Sequence, residues 1–200
     1  TGSSDTETLL AMFEKYGVEK TLEQVEGMFV IALWDESKNE LNLIRDRFGE
    51  KPLYYLDEND HFIFASEIKS LKVTPWMKNE VDLNSLALYF QHSFVPGKNA
   101  IYQNVKKVMP GEILKIKVKN TSISQKKIQY WSSEKNINLS KERVFLGDLN
   151  EASLEVEKSL RSSVKKQLVA DVPVGIFLSG GIDSSLISIL AQQESSKNIR

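Results

Sequence analysis

Gly175-Ile176-Phe177-Leu178-Ser179-Gly180-Gly181-Ile182-Asp183-Ser184-Ser185 joins a short apolar run to a helical one through a Ser-Gly-Gly turn. Residues 174–178 carry no polar side chain, which predicts a strand covered on both faces of a parallel sheet. Residues 183–192 read as a helix, with Leu186, Ile187 and Leu190 apolar. Two consecutive glycines permit a tight turn and a close backbone approach to a ligand. The first turn of the following helix offers unpaired N–H groups and the positive end of its dipole, which together bind anions. Ser179, Ser184 and Ser185 add hydroxyl donors, and Asp183 is suited to hold a divalent cation bridging phosphates. The expectation is a phosphate or pyrophosphate cradle. A Gly-rich corner packed for topology alone is the alternative. A Walker A loop would end in Gly-Lys-Ser/Thr and a dinucleotide fingerprint needs a spaced glycine triplet, and the stretch has neither.

Upstream, Ala152, Val156, Leu160, Val164 and Leu168 recur at steps of four, the signature of a helix with one apolar stripe, and Asn150 is read as its cap. Residues 135–149 are polar and poorly periodic and read as a domain linker.

The region before the linker has another rhythm. Ser3 and Ser4 precede a helix over 5–16 that Gly17 ends, and residues 22–25 suggest a shorter helical stretch. Residues 28–34 read as a central strand, and 41–47 as its hairpin partner. Residues 53–56 and 62–65 form a second antiparallel pair around the 57–60 loop. One helical turn over 66–71 and a helix over 83–91, capped by Asp82, come next. Ile113, Lys115, Lys117 and Lys119 alternate with Leu114, Ile116 and Val118, a strand with one wet face, and 127–131 is its hairpin partner. The lysine row reads as a solvated face, because no aromatic residues interleave with it.

The 200 residues are 41% hydrophobic and 26% charged, as in soluble globular proteins, and the formal net charge of −1 argues against a nucleic-acid or anionic-membrane partner. A cytoplasmic location is the default. The absence of Cys removes disulfides, thiolate metal sites and a cysteine nucleophile from this stretch of chain, and the two histidines, His61 and His92, are too far apart for a local metal site. Trp34 and Trp131 read as core or interdomain packing.

The Ser-Gly-Gly-x-Asp-Ser turn resembles the signature of the ATP pyrophosphatases, which cleave ATP between its α and β phosphates. The wider block from Asp171 to Ser185 is similar to the glutamine-hydrolysing asparagine synthetases of the asparagine synthase B type. So are Gly27-Met-Phe-Val-Ile-Ala-Leu-Trp-Asp35, Arg45-Asp-Arg-Phe-Gly-Glu-Lys-Pro-Leu-Tyr-Tyr55 and Phe64-Ala-Ser-Glu-Ile-Lys-Ser-Leu71. Phe94-Val-Pro-Gly97 and Val108-Met-Pro-Gly111 fit in the right order.

The resemblance implies an α+β part followed by an α/β part. The first is an N-terminal-nucleophile glutaminase, a four-layer αββα sandwich; the second is the start of an ATP-pyrophosphatase parallel-sheet domain. Residues 1–134 would be the later part of a type 2 glutamine amidotransferase domain with an extension, 135–149 the linker, and 150–200 the truncated start of the synthetase domain. The implied reaction makes asparagine from aspartate, glutamine and ATP with Mg²⁺ through a β-aspartyl adenylate, releasing AMP and pyrophosphate. The implied partners are these small molecules, with a homodimer admitted by the resemblance and not fixed by these residues.

Roles pass only to matching positions. Asp5 matches the aspartate that holds the amino group of glutamine; its other reading is a plain helix cap. Leu178 matches a position lining the ATP site. Ser179, Gly180, Gly181, Asp183, Ser184 and Ser185 fall in the pyrophosphate loop, with Asp183 near Mg²⁺. Arg45 could face the glutamine pocket, but a structural ion pair at a strand end is the favoured reading. The family's nucleophilic Cys, its glutamine-pocket Arg and Asn-Gly-Glu segment, and its downstream Ser-Gly-Glu-Gly segment have no counterpart here. The expectation is an internal fragment that hydrolyses no glutamine alone. A relative acting on another carboxylate or on a sugar, and an inactive nucleotide-binding module, stay open as alternatives.

Overall fold

The computed structural model describes residues 4–58, 61–119, 122–196 and 198–199. The expected caps at Ser3 and part of the 57–60 loop lie outside the described residues. The chain divides into two compact units, Thr1–Ile137 and Asn138–Arg200.

In the first unit Ser4 accepts the Thr6 N–H at 3.2 Å and opens α1 (Asp5–Tyr16), and the N–H of Gly17, at φ 79°, closes it on Phe13 O. The shorter helix, α2 (Val18–Gln24), starts earlier than its sequence suggests, because Gly17 turns the chain straight into a new helix. Strands β1 (Val30–Asp35) and β2 (Glu40–Arg45) form the expected hairpin. The second hairpin is β3 (Tyr54–Glu58) and β4 (His61–Ala65), followed by α3 (Ile68–Lys72). Helix α4 (Leu83–His92) is capped by Asp82, whose carboxylate accepts the Ser85 N–H at 2.6 Å. Strands β5 (Val105–Lys107), β6 (Glu112–Lys119) and β7 (Ser122–Gln129) complete two antiparallel sheets, ordered β1-β2-β6-β7 and β4-β3-β5.

Period-2 patterning fixes the layers. Leu43 of β2 and Leu114 and Ile116 of β6 meet Leu53, Tyr55 and Val108 between the sheets. The opposite faces of the same strands, Ile44 and Ile113, pack under Phe13 of α1 and Leu22 of α2. On the outer face of the smaller sheet, Leu56 and Val105 pack with Leu71 of α3, Met77 and Ala100. The packing order is helix, sheet, sheet, helix, which fits the expected N-terminal-nucleophile sandwich. Each fully buried leucine or isoleucine contributes about 1.5–3 kcal/mol of burial energy.

Two strand expectations need correction. β1 is an edge strand and not central, since among the described residues only β2 pairs with it. The row from Ile113 is not wet throughout: α1 and α2 cover Ile113, Lys115 pairs with Glu19 at 3.7 Å, and only Lys117 and Lys119 stay exposed. Trp34 is 49% exposed on the edge strand, so it is not core; Trp131 packs against Phe48 with ring centroids 4.9 Å apart.

The segment read as a linker holds a helix with no buried residue, α5 (Ser133–Lys141), and the division between the units falls within it. In the second unit the cap of α6 (Leu149–Gln167) is Asp148 and not Asn150. Asp148 accepts the Glu151 N–H at 2.9 Å while Glu151 accepts the Asp148 N–H at 3.0 Å, a capping box that Asn150, already inside the helix, cannot form. Helix α7 (Ile182–Glu194) packs on α6 through Val164, Leu190 and Ala191.

Residues 174–178 form no strand. A parallel strand takes its hydrogen bonds from neighbouring strands, and no strand is assigned among the described residues of this unit. Ile176 tucks against α6 and α7, whereas Phe177 is 99% exposed.

Candidate functional site

The Ser-Gly-Gly turn delivers Gly181 as the N-cap of α7 with φ −79° and ψ 162° and no side-chain cap. The first helical hydrogen bond runs from Ser185 N to Gly181 O at 3.1 Å. Ahead of it, the N–H groups of Ile182, Asp183 and Ser184 have no carbonyl within the helix, the ordinary state of a first turn. Gly180 has φ 82°, a conformation L side chains rarely adopt, and a Cβ there would meet nothing within 4 Å. The space beside the turn is open. Ser179 Oγ lies 3.0 Å from Ser184 Oγ, and Ser184 also donates to Gly181 O at 3.1 Å, so the two hydroxyls are tied across the turn. Ser185 and Leu178 flank the same turn, Leu178 largely exposed.

The turn therefore brings together N–H groups and two hydroxyls, which can donate to phosphate oxygens, beside one carboxylate, which can meet a phosphate only through a cation. Among the described residues no group of three His, Cys, Asp or Glu side chains could hold a metal ion. Asp183 alone suits Mg²⁺ only in company with phosphate oxygens and water, which is how that ion is commonly bound at nucleotide sites.

In the first unit Asp5 is exposed at the start of α1. Its Oδ1 accepts the Thr6 N–H at 2.7 Å, but the cap position belongs to Ser4. The carboxylate is thus available on one side of a helix N-terminus.

Arg45 is a structural residue, in a form the sequence did not reveal. It makes no ion pair among the described residues. Its Nε donates to Lys51 O at 2.7 Å, Nη1 to Val108 O at 2.9 Å and Nη2 to Gly49 O at 2.6 Å. Asp46, 1% exposed, takes the opposite polarity: Oδ1 accepts from Phe48 N at 3.1 Å and Glu50 N at 3.0 Å, and Oδ2 from Lys51 N at 3.0 Å. Arg47 reaches back to Glu23 O at 3.1 Å. One visible signal for this grip was the alternation of opposite charges directly before Gly49, a position with φ 68°.

The paired antiparallel sheets between helical layers, followed in sequence by a helical unit with an uncapped Gly-Gly helix N-terminus, define the class: an amidotransferase-type sandwich continued by a second unit. Residues 1–153 match the family model of the glutamine amidotransferase domain, and residues 155–200 match that of asparagine synthase. The chain belongs to the glutamine amidotransferase domain family, and over nearly its whole length it is similar to glutamine-hydrolysing asparagine synthetases.

It is 36% identical over 95% of its length to asparagine synthetase [glutamine-hydrolyzing] 1 of Bacillus subtilis, covering 28% of that protein. It is 34% identical over 94% of its length to synthetase 3 of the same organism, covering 29%. Amidase chry2 of Gibberella zeae is 32% identical over 94% of this chain and 26% of its own length. The chain thus spans less than a third of each of these relatives. No helix among the described residues is long and apolar enough to cross a membrane.

Proposed function

We propose that the full-length protein bearing this chain is an ATP-dependent amidotransferase that converts aspartate to asparagine with glutamine as nitrogen donor. The observation that carries this reading is the tandem of a glutamine amidotransferase domain and the 179–185 turn, with its three unpaired N–H groups beside Ser179 and Ser184. In the proposed reaction a carboxylate oxygen of aspartate attacks the α phosphorus of ATP and pyrophosphate leaves. Ammonia released from glutamine then attacks the acyl carbon and AMP leaves.

The turn would serve the first step. N–H groups of Ile182, Asp183 and Ser184 would donate to the departing pyrophosphate, where negative charge accumulates, and the hydroxyls of Ser179 and Ser184 would join them by rotating away from each other and from Gly181 O. Asp183 is read as the carboxylate beside Mg²⁺, an ion that would neutralise phosphate charge. Leu178 would contact the nucleotide from the chain entering the turn. Asp5 would pair with the ammonium of glutamine, a charge-assisted hydrogen bond. In this reading residues 1–134 belong to the glutaminase part, 135–149 connect, and 150–200 open the synthetase part.

A second acceptor is favoured by one observation: relatives named amidases, chry2 of Gibberella zeae and chyE of Penicillium rubens, match at 32% and 34% identity over the same 94% of this chain. An assay of the full-length protein for pyrophosphate release from ATP with glutamine, with and without aspartate, separates the two. Release that requires aspartate supports asparagine synthesis. Release that ignores aspartate and responds to another carboxylate moves the protein to the second reading, and no release under any acceptor rejects both.

A further inference from the structure

A cavity of about 620 Å³ opens in the first unit beside α4, lined by Arg45, Tyr54, Leu86, Tyr89, Phe94 and Lys107 among others. Its walls are mostly aromatic and aliphatic, its size lies in the range of small-molecule sites, and its two charges have the same sign. Lys107, opposite Tyr54 on the adjoining strand, donates from Nζ to Val95 O and keeps two further N–H donors. Among the described residues no carboxylate lies within 4.0 Å of Lys107 or Arg45.

Carbonyl partners satisfy hydrogen bonds but do not neutralise charge. The carboxylate next to Arg45 in sequence, Asp46, is already turned onto the N–H groups of Phe48, Glu50 and Lys51 and does not line the cavity. Burial and the nearby Arg45 guanidinium both hold the Lys107 ammonium below its usual pKa. A half-buried ammonium beside a second cation is costly without a counter-anion. Arg45 still feels the field of the adjacent Asp46 carboxylate, which leaves Lys107 as the unmatched charge at the edge of an apolar cavity and suits a ligand with one anionic group and an apolar body.

We propose that this cavity binds a small monocarboxylate with an apolar body, its carboxylate seated on Lys107 beside Arg45 and its body between Leu86, Tyr89 and Phe94. None of the residues proposed for the reaction lines this cavity, and the proposal does not rest on that reaction.

Calorimetric titration of the full-length protein with 4-phenylbutyrate tests it, with 4-phenylbutanamide as the neutral isostere. The acid is expected to saturate one site and to bind at least about tenfold more tightly than the amide, the factor set by about 1.4 kcal/mol. Lys107→Met is expected to abolish that preference. Leu86→Trp, which narrows the cavity without touching a charge, is expected to weaken both compounds at least about fivefold, since it displaces the apolar body. Equal binding of acid and amide, absence of saturable binding, or affinity unchanged by Leu86→Trp overturns the proposal. If Lys107→Met does not fold, the acid-over-amide preference and Leu86→Trp decide the matter alone.

Discussion

Arg45 donates from Nη2 to the carbonyl of Gly49 at 2.6 Å, fixing the turn that follows β2. Its neighbour Asp46 holds the same turn through the amides of Phe48, Glu50 and Lys51. A single turn is thus gripped by a guanidinium on its carbonyls and a carboxylate on its N–H groups. Asp46→Ala leaves three amides on exposed residues without their carboxylate acceptor, at about 1 kcal/mol for each hydrogen bond lost. Hydrogen exchange at Phe48, Glu50 and Lys51 is expected to accelerate by about ten- to a hundredfold, while Ile44 and Leu114 in the sheet change little. Unchanged exchange at all three amides would remove the carboxylate from this role.

Two glycines with similar φ angles should respond differently to alanine. Gly111 has φ 65° and a Cβ there would sit 2.4 Å from the carbonyl oxygen of Trp131, a backbone atom that cannot step aside. Gly180 has φ 82° with nothing within 4 Å. Gly111→Ala therefore combines left-handed strain with a clash, and is expected to destabilise the first unit by more than about 2 kcal/mol. Gly180→Ala carries the conformational cost alone, about 1–2 kcal/mol, and should leave the fold intact. Thermal denaturation of the two variants side by side checks the order.

Tyr130 donates to the carbonyl of Arg45 at 2.9 Å. Burial, reinforced by the nearby Asp46 carboxylate, pushes its phenol up to about 12 from an ordinary value of 10.0. The folded state therefore holds this proton more tightly than the unfolded chain. Its contribution to stability is complete below pH 10 and is lost between about pH 10 and 12, as the unfolded phenol ionises first. In Tyr130→Phe the latest-titrating phenolate in the ultraviolet absorbance should disappear, and stability should fall less steeply across that window. A Tyr130→Phe variant with the wild-type alkaline profile would count against the assignment.

Short-range chemistry was legible and long-range chemistry was not. Alternation placed β2 and β6, a serine and a glycine bracketed α1, and the Ser-Gly-Gly turn located the N-terminus of α7. The apolar run at 174–178 misled because burial on two faces depends on neighbouring strands that no local pattern contains. β1 looked central for the same reason: its composition is apolar, yet sheet order is a non-local property. Arg45 was recognised as structural, but its three carbonyl partners lie at 49, 51 and 108, and only folding brings the last of these near. Lys107, the last residue of β5, carried no signal at all until folding set it beside Arg45 and the apolar residues of α4.

The two halves of the proposed reaction can be separated by nitrogen source. Ser4, and not Asp5, caps α1, so Asp5→Asn should cost little stability, at most about 1 kcal/mol from the lost dipole interaction. If Asp5 holds the ammonium of glutamine, the variant raises KM for glutamine while ammonia-driven asparagine formation is untouched. Asp183→Ala and Ser184→Ala act on pyrophosphate departure, which both nitrogen sources share. Loss of one such preorganised group lowers kcat by about 10²–10³, equally with glutamine and with ammonia. Asp183→Ala should have a stability close to wild type, because Asp183 is exposed and α7 is held by Leu190 and Ala191, whereas Ser184→Ala, at a half-buried position, should lose about 1 kcal/mol with its bond to Gly181 O. A loop variant defective with glutamine alone would place its fault in the glutaminase half, and an Asp5→Asn variant defective with ammonia would show that Asp5 acts outside glutamine binding.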